Sequence, residues 1–196
     1  MRPPFVGLTG GIGAGKSTAL TALKRLGVAV LSTDRVVHEL YDSAEVRDAV
    51  TDRFGAEVAP DGVVDRAAVA RAAFATAEDR HWLEGLLWPR VGARMVQWRE
   101  ECEAQTPPPR AVVVEVPLLF ESGMDGAFDA TISVRAPEEL RAERAASRGH
   151  HVVDERTSRQ LTQQEKAERA TYVVENDGGI EELELKLSAV LDMLQS

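Results

Sequence analysis

The stretch Gly10-Gly11-Ile12-Gly13-Ala14-Gly15-Lys16-Ser17 fits the pattern G-x-x-x-x-G-K-[ST]. Glycines at these positions let successive backbone N–H groups converge on phosphate oxygens, and a helix starting at the end of the loop turns its positive end toward the same anion. Lys16 then reaches the β- and γ-phosphates of a nucleoside triphosphate, and the Ser17 hydroxyl ligates Mg2+. A dinucleotide-binding G-x-G-x-x-G starting at Gly11 would need glycine at position 16, where this chain has lysine. The chain also lacks the Asn-Lys-x-Asp stretch that reads guanine in GTPases. A phosphate loop alone names no reaction, because kinases, motors and inactive nucleotide binders all carry one.

Other side chains suit phosphoryl chemistry. Asp34 follows the second apolar run, where a carboxylate can take or orient the proton of an attacking hydroxyl, or hold Mg2+ through a bound water. An equally weighted reading makes it the N-cap of a helix beginning near Val36. Arg144 and Arg148, four residues apart, share a helix face, and Arg156 follows beyond Gly149-His150-His151. Guanidinium groups can meet the charge that develops on a transferring phosphoryl group, although a lone arginine at helical spacing is more often one on a solvated face. Arg141 and Arg159 read as surface residues, and His150 and His151 as exposed loop histidines with no ligand set to complete a metal site. Glu115, at the end of the third run, sits where P-loop enzymes place an acid near Mg2+. Trp82, Trp88 and Trp98 recur near helical spacing and read as core.

These residues must be positioned by an alternation of short strands and longer helices, the pattern of a parallel sheet covered on both faces. Strands are expected over 5–9, 28–33, 111–116, 130–134 and 172–175, and the first helix over 17–26 with Gly27 at its C-terminal cap. Between the second and third strands lie almost eighty residues, too many for one crossover. Helical patterns there cover 36–40, 44–54, 66–75 and 78–105, interrupted by Pro60-Asp61-Gly62 and ended by Pro107-Pro108-Pro109. A final amphipathic helix begins near Glu181 and is expected to pack on the sheet.

With 196 residues the chain suits one domain with appended parts. Its net charge of −9 argues against non-specific binding to nucleic acid or an anionic membrane. One cysteine, Cys102, excludes an intrachain disulfide framework and fits a reducing compartment. No apolar run approaches the roughly 20 residues that span a bilayer, so a cytoplasmic protein is expected. The acidity is uneven: residues 135–169 carry eight basic side chains against seven acidic ones, and residues 175–196 one against six.

Taken with Leu8 and Thr9 before the loop and Thr18 after it, further stretches complete a pattern: Ser32-Thr33-Asp34, His38-Glu39-Leu40, Phe54-Gly55, Asp61-Gly62-Val63-Val64-Asp65-Arg66 and Pro117-Leu118-Leu119-Phe120-Glu121-Ser122. In these the chain resembles the dephospho-coenzyme A kinases over nearly its whole length, and Arg144, Arg148, Arg156, Gln160, Lys166 and Asn176 match that family in spacing. The resemblance implies an α/β fold, a P-loop NTPase of the nucleoside-monophosphate-kinase type with a five-stranded parallel sheet. Its core covers 1–34, 111–134 and 170–196, its helical substrate subdomain about 35–110, and its lid about 141–165. It implies transfer of the ATP γ-phosphoryl to the ribose 3′-hydroxyl of dephospho-coenzyme A, with Mg2+ as cofactor, by a monomer or weak homo-oligomer. Asp34, Lys16 and Arg144 carry catalysis in that reading. Gly11, Ile12, Gly13, Ala14, Gly15, Lys16, Ser17, Thr18, Arg144, Arg148 and Asn176 hold ATP, and Asp34, His38, Arg66, Pro117, Leu118 and Glu121 face the acceptor. Glu121 can equally cap a helix, and His38 can be an ordinary surface histidine. Two departures fall on the acceptor side: Ser32 where the family usually has Asp, and Trp88 where it usually has His before the proline. Alternatives are a kinase of the same fold acting on another nucleotide or small hydroxyl compound, and a nucleotide-binding paralogue without turnover.

Overall fold

A computed structural model describes residues 2–147 and 160–195. Arg148, Arg156, Arg159, His150 and His151 lie outside the described residues, as does the middle of the expected lid, 148–159. The chain divides into two units, one made of Met1–Ser32 and Arg99–Ser196, the other of Thr33–Trp98.

The first unit is built on a five-stranded sheet of β1 (Phe5–Gly10), β2 (Ala29–Ser32), β3 (Val112–Glu115), β4 (Ala130–Arg135) and β5 (Tyr172–Glu175), in the order β2-β3-β1-β4-β5. Every pairing is parallel, with Leu8 opposite both Glu115 of β3 and Ile132 of β4. β1, in the middle, is buried along its whole length, which is why it reads as an uninterrupted apolar run. Helices α1 (Lys16–Arg25) and α8 (Ile180–Gln195) cover one side of it. Ala19, Ala22 and Leu23 of α1 meet Leu183, Leu187, Val190 and Leu191 of α8 over Val6, Leu8, Val113 and Ile132. Each such aliphatic side chain taken fully out of water contributes about 1.5–3 kcal/mol. From β1 the chain crosses to β2 on one side, and from β3 it crosses to β4 on the other. The β1/β3 pair is therefore the switch point, where open α/β sheets take ligands outside the carboxyl ends of the strands.

The second unit contains α2 (Thr33–Tyr41), α3 (Ala44–Phe54), α4 (Arg66–Ala73) and residues 77–98 of α5 (Ala77–Glu103). Ser43 caps α3 by accepting from the Val46 N–H, and Asp65 caps α4 by accepting from Ala67 and Ala68. Its own core gathers Tyr41, Val46, Val50, Val58, Val69 and Leu87, with Trp82 edge-on to Phe54 at 5.4 Å. Trp88 does not join this core. It is 47% exposed on α5, so it is Trp88 that departs from the core position the spacing suggests, while Trp82 packs on this core and Trp98 is half-buried.

The remaining differences from expectation are at element ends. β2 stops at Ser32 and α2 starts at Thr33, so Asp34 lies inside the first helical turn and is not an N-cap three residues upstream of Val36. A carboxylate there still meets the positive end of the helix. No helix among the described residues is long and apolar enough to cross a membrane.

Candidate active site at the phosphate loop

β1 ends at Gly10 and α1 begins at Lys16, with Gly15 as N-cap in the left-handed region at φ 91°. Gly13 takes φ 75°, and a Cβ there would stand 2.5 Å from the Arg141 carbonyl oxygen. A Cβ on Gly15 would land on the Asn176 side-chain amide. Both glycines are thus required twice, by backbone conformation and by neighbours that close on the loop. The Lys16 ammonium folds back along the loop and donates to the carbonyls of Gly10 at 2.9 Å and Gly11 at 3.2 Å. Ser17 is exposed one residue into α1, and Thr18 is half-buried behind it.

Two distant segments clamp this loop. α6 (Glu138–Ser147) follows β4, and its first turn carries Arg141, whose Nε donates to the Ile12 carbonyl at 2.9 Å while Nη1 pairs with Glu138 at 2.5 Å. The guanidinium also lies over Gly11. Arg141 is therefore a loop contact, not the surface residue expected. The contact exists because α6 runs past the loop, and its three-residue spacing to Arg144 was the available signal. From the end of β5, Asn176, only 4% exposed, donates its side-chain amide to the Ala14 carbonyl at 2.8 Å and its backbone N–H to the Arg135 carbonyl at 2.6 Å. Arg144 Nη1 reaches the Asn176 carbonyl at 3.5 Å. Asn176, expected as an ATP ligand, acts here as a brace beneath the loop.

A second buried cluster stands beside it. Lys166, on α7 (Gln163–Arg169), is fully buried and pairs with Glu121 Oε1 at 3.0 Å. Its ammonium donates to the Pro117 carbonyl at 2.5 Å and, at the long limit, to Thr9 Oγ1 at 3.5 Å. Thr9 Oγ1 also donates to the Pro117 carbonyl, at 3.2 Å. Burial pulls the Lys166 pKa below the ordinary lysine value, opposed by the hydrogen bond and charge of Glu121. Glu121 Oε1 takes a further bond from the Leu161 N–H at 2.8 Å, just before the Thr162–Glu165 capping box of α7. Glu121 is thus a counter-ion, which neither expected role anticipated. A lone lysine in a polar helix carries no sequence signal of burial.

Asp34, His38 and Arg66 belong to the other unit. All three are exposed, the first two on α2 and the third as the opening residue of α4.

The family model described as dephospho-CoA kinase matches residues 4–182. The dephospho-CoA kinase of Deinococcus radiodurans is 39% identical over 98% of this chain and 93% of its own length. That of Moorella thermoacetica is 39% identical over 97% and 92%. Among solved structures, a Thermus thermophilus protein superposes with a TM-score of 0.82 at 35% identity, covering 100% of both chains. A shikimate kinase from Aquifex aeolicus, at 16% identity and a TM-score of 0.53 over 96% of each chain, shares the fold. A phosphate loop clamped at a sheet switch point, in a chain matched almost from end to end, places this protein in the dephospho-CoA kinase family.

Proposed function

We propose that the chain transfers the γ-phosphoryl group of ATP to the ribose 3′-hydroxyl of dephospho-coenzyme A, yielding coenzyme A and ADP, the closing step of coenzyme A synthesis. The observation that carries this reading is the phosphate loop, held from two sides at the β1/β3 switch point. The acceptor is supplied by the family, since the loop alone would serve other kinases.

In this reading the loop N–H groups and the end of α1 bind the β- and γ-phosphates, with Lys16 swinging from the Gly10 and Gly11 carbonyls onto them. Arg141 and Arg144, within the first turns of α6, add positive charge beside the loop. Ser17 offers a hard oxygen of the kind Mg2+ takes alongside phosphate and water, so the residues present fit that ion. Bound with the nucleotide, Mg2+ would offset phosphate charge. The 3′-oxygen forms a bond to the γ-phosphorus, the bond from that phosphorus to the β–γ bridging oxygen breaks, and ADP leaves with the electron pair. Asp34 accepts the hydroxyl proton. Its exposure leaves the carboxylate accessible to a substrate. The protein works in the cytoplasm as a monomer or weak homo-oligomer; the first part of this reading is supported by its single cysteine, the buried Cys102, which fits a reducing compartment.

Purified protein supplied with Mg-ATP and dephospho-coenzyme A should form coenzyme A and ADP in equal amounts. Turnover with other hydroxyl acceptors but not this one would move the assignment to another small-molecule kinase.

A further inference from the structure

The buried Lys166 cluster is not used by the chemistry above, yet it touches both strand ends that flank the switch point. Thr9 is the penultimate residue of β1, and Pro117 comes two residues after β3. The Pro117 carbonyl receives two donors at once, Lys166 Nζ at 2.5 Å and Thr9 Oγ1 at 3.2 Å, so the peptide joining Pro117 to Leu118 is pinned by its oxygen. That peptide is trans, and in a planar trans peptide the N–H points opposite to the C=O. With the oxygen turned inward to α7, the Leu118 N–H is turned outward from it. Among the described residues, that N–H donates to no protein acceptor. A backbone donor held in one direction at the carboxyl edge of a parallel sheet stands where ligands of this architecture bind.

We infer that Lys166 is a positioning residue whose bond to the Pro117 carbonyl presents the Leu118 N–H to an oxygen of the acceptor nucleotide. This rests on the acceptor being dephospho-coenzyme A. Glu121 supplies the charge that lets an ammonium sit where no solvent reaches, and Thr9 shares the grip on the carbonyl. The depressed pKa of Lys166 agrees with a group kept inside for its hydrogen bonds despite the cost of desolvation.

The direct test follows the Leu118 amide by 15N–1H correlation spectroscopy on the full chain. Saturating dephospho-coenzyme A should move its proton downfield, and a non-hydrolysable Mg-ATP analogue alone should leave it in place. Kinetics give the second readout. Thr9→Val should raise KM for dephospho-coenzyme A about threefold and Thr9→Ser should restore it. Lys166→Met with Glu121→Gln, which removes both charges together, should raise it about tenfold, or about 1.4 kcal/mol. KM for ATP should stay within about twofold of wild type in all three, a loss confined to one substrate that general destabilisation would not produce. If the double variant does not fold, the amide and the Thr9 pair still decide. Product formation by wild type with an unmoved Leu118 amide, or equal rises in both KM values, overturns the inference and leaves the function standing. Absence of product from wild type overturns both.

Discussion

The phosphate loop and the acceptor-side residues of the helical unit are built on opposite plans. The loop is gripped from far along the chain, by Arg141 on Ile12 and Asn176 on Ala14, and its lysine is bonded to its own carbonyls. Asp34, His38 and Arg66 are exposed and, among the described residues, make no side-chain hydrogen bond or ion pair; they are fixed only by the helices that carry them. Their helices in turn rest on the unit's own core around Val46, Val50 and Val69. Donors that are already aligned cost no reorganisation when an anion arrives, so bracing suits the phosphate side. Residues that must meet a substrate as it binds keep their side chains open instead. Substitutions on the two sides should therefore fail differently.

The largest effect is expected at Asp34. Asp34→Asn should lower kcat about 10^2–10^4-fold while the calorimetric Kd for ATP stays at its wild-type value and the Tm falls only slightly, because the carboxylate makes no side-chain bond among the described residues and meets only the positive end of α2. Near-wild-type turnover would remove Asp34 from the chemistry. Asn176→Ala should behave in the reverse sense. It leaves the Ala14 carbonyl without its buried donor, a cost of about 1–3 kcal/mol, so both the Tm and the ATP affinity should fall, with kcat at saturation much less affected. An Asn176→Ala protein with unchanged Tm would erase the contrast. Arg141→Met comes third: losing one charge-assisted bond to Ile12 should weaken ATP binding roughly tenfold, by about 1.5 kcal/mol, with a smaller change in Tm than at Asn176.

What could be read beforehand divides along physical lines. Local pattern carries the sheet: the apolar run of β5 and the periodicity of α3 give Tyr172–Glu175 and Ala44–Phe54 to the residue, and the phosphate loop stands between β1 and α1 as its spacing requires. The start of α2 is misplaced because Ser32-Thr33-Asp34 offers several residues that suit a cap, and the helix begins at Thr33, ahead of the one expected. Arg141 is missed as a loop contact, and Lys166, singled out only by its family spacing, gives no local sign of its burial or its contacts. Their roles depend on contacts made across 129 and 157 residues of chain, to Ile12 and Thr9, and no local periodicity records such distances. Trp88 escapes for the opposite reason, since helical spacing alone does not say which of three tryptophans faces inward.

The smallest expected effect tests whether the helical unit has a polar brace of its own away from the candidate site. Asp79, at the start of α5, is held below the usual aspartate range first by the Thr76 hydroxyl and then by Arg53, which also lies over the Trp82 ring at 5.7 Å. A carboxylate whose folded pKa is depressed stabilises the fold fully above its unfolded value of 3.8 and loses that contribution as pH falls through the folded value. Asp79→Asn should therefore be slightly less stable than wild type at pH 7, and the gap should close in strong acid. All three tryptophans lie in Thr33–Trp98, so their fluorescence follows this unit selectively. High salt should shrink the difference, because the Arg53–Asp79 pair is partly open to solvent and so partly screened. A gap that persists unchanged at low pH would mean that Asp79 acts through the Thr76 hydrogen bond as a neutral acceptor, and that the unit's polar bracing owes nothing to charge.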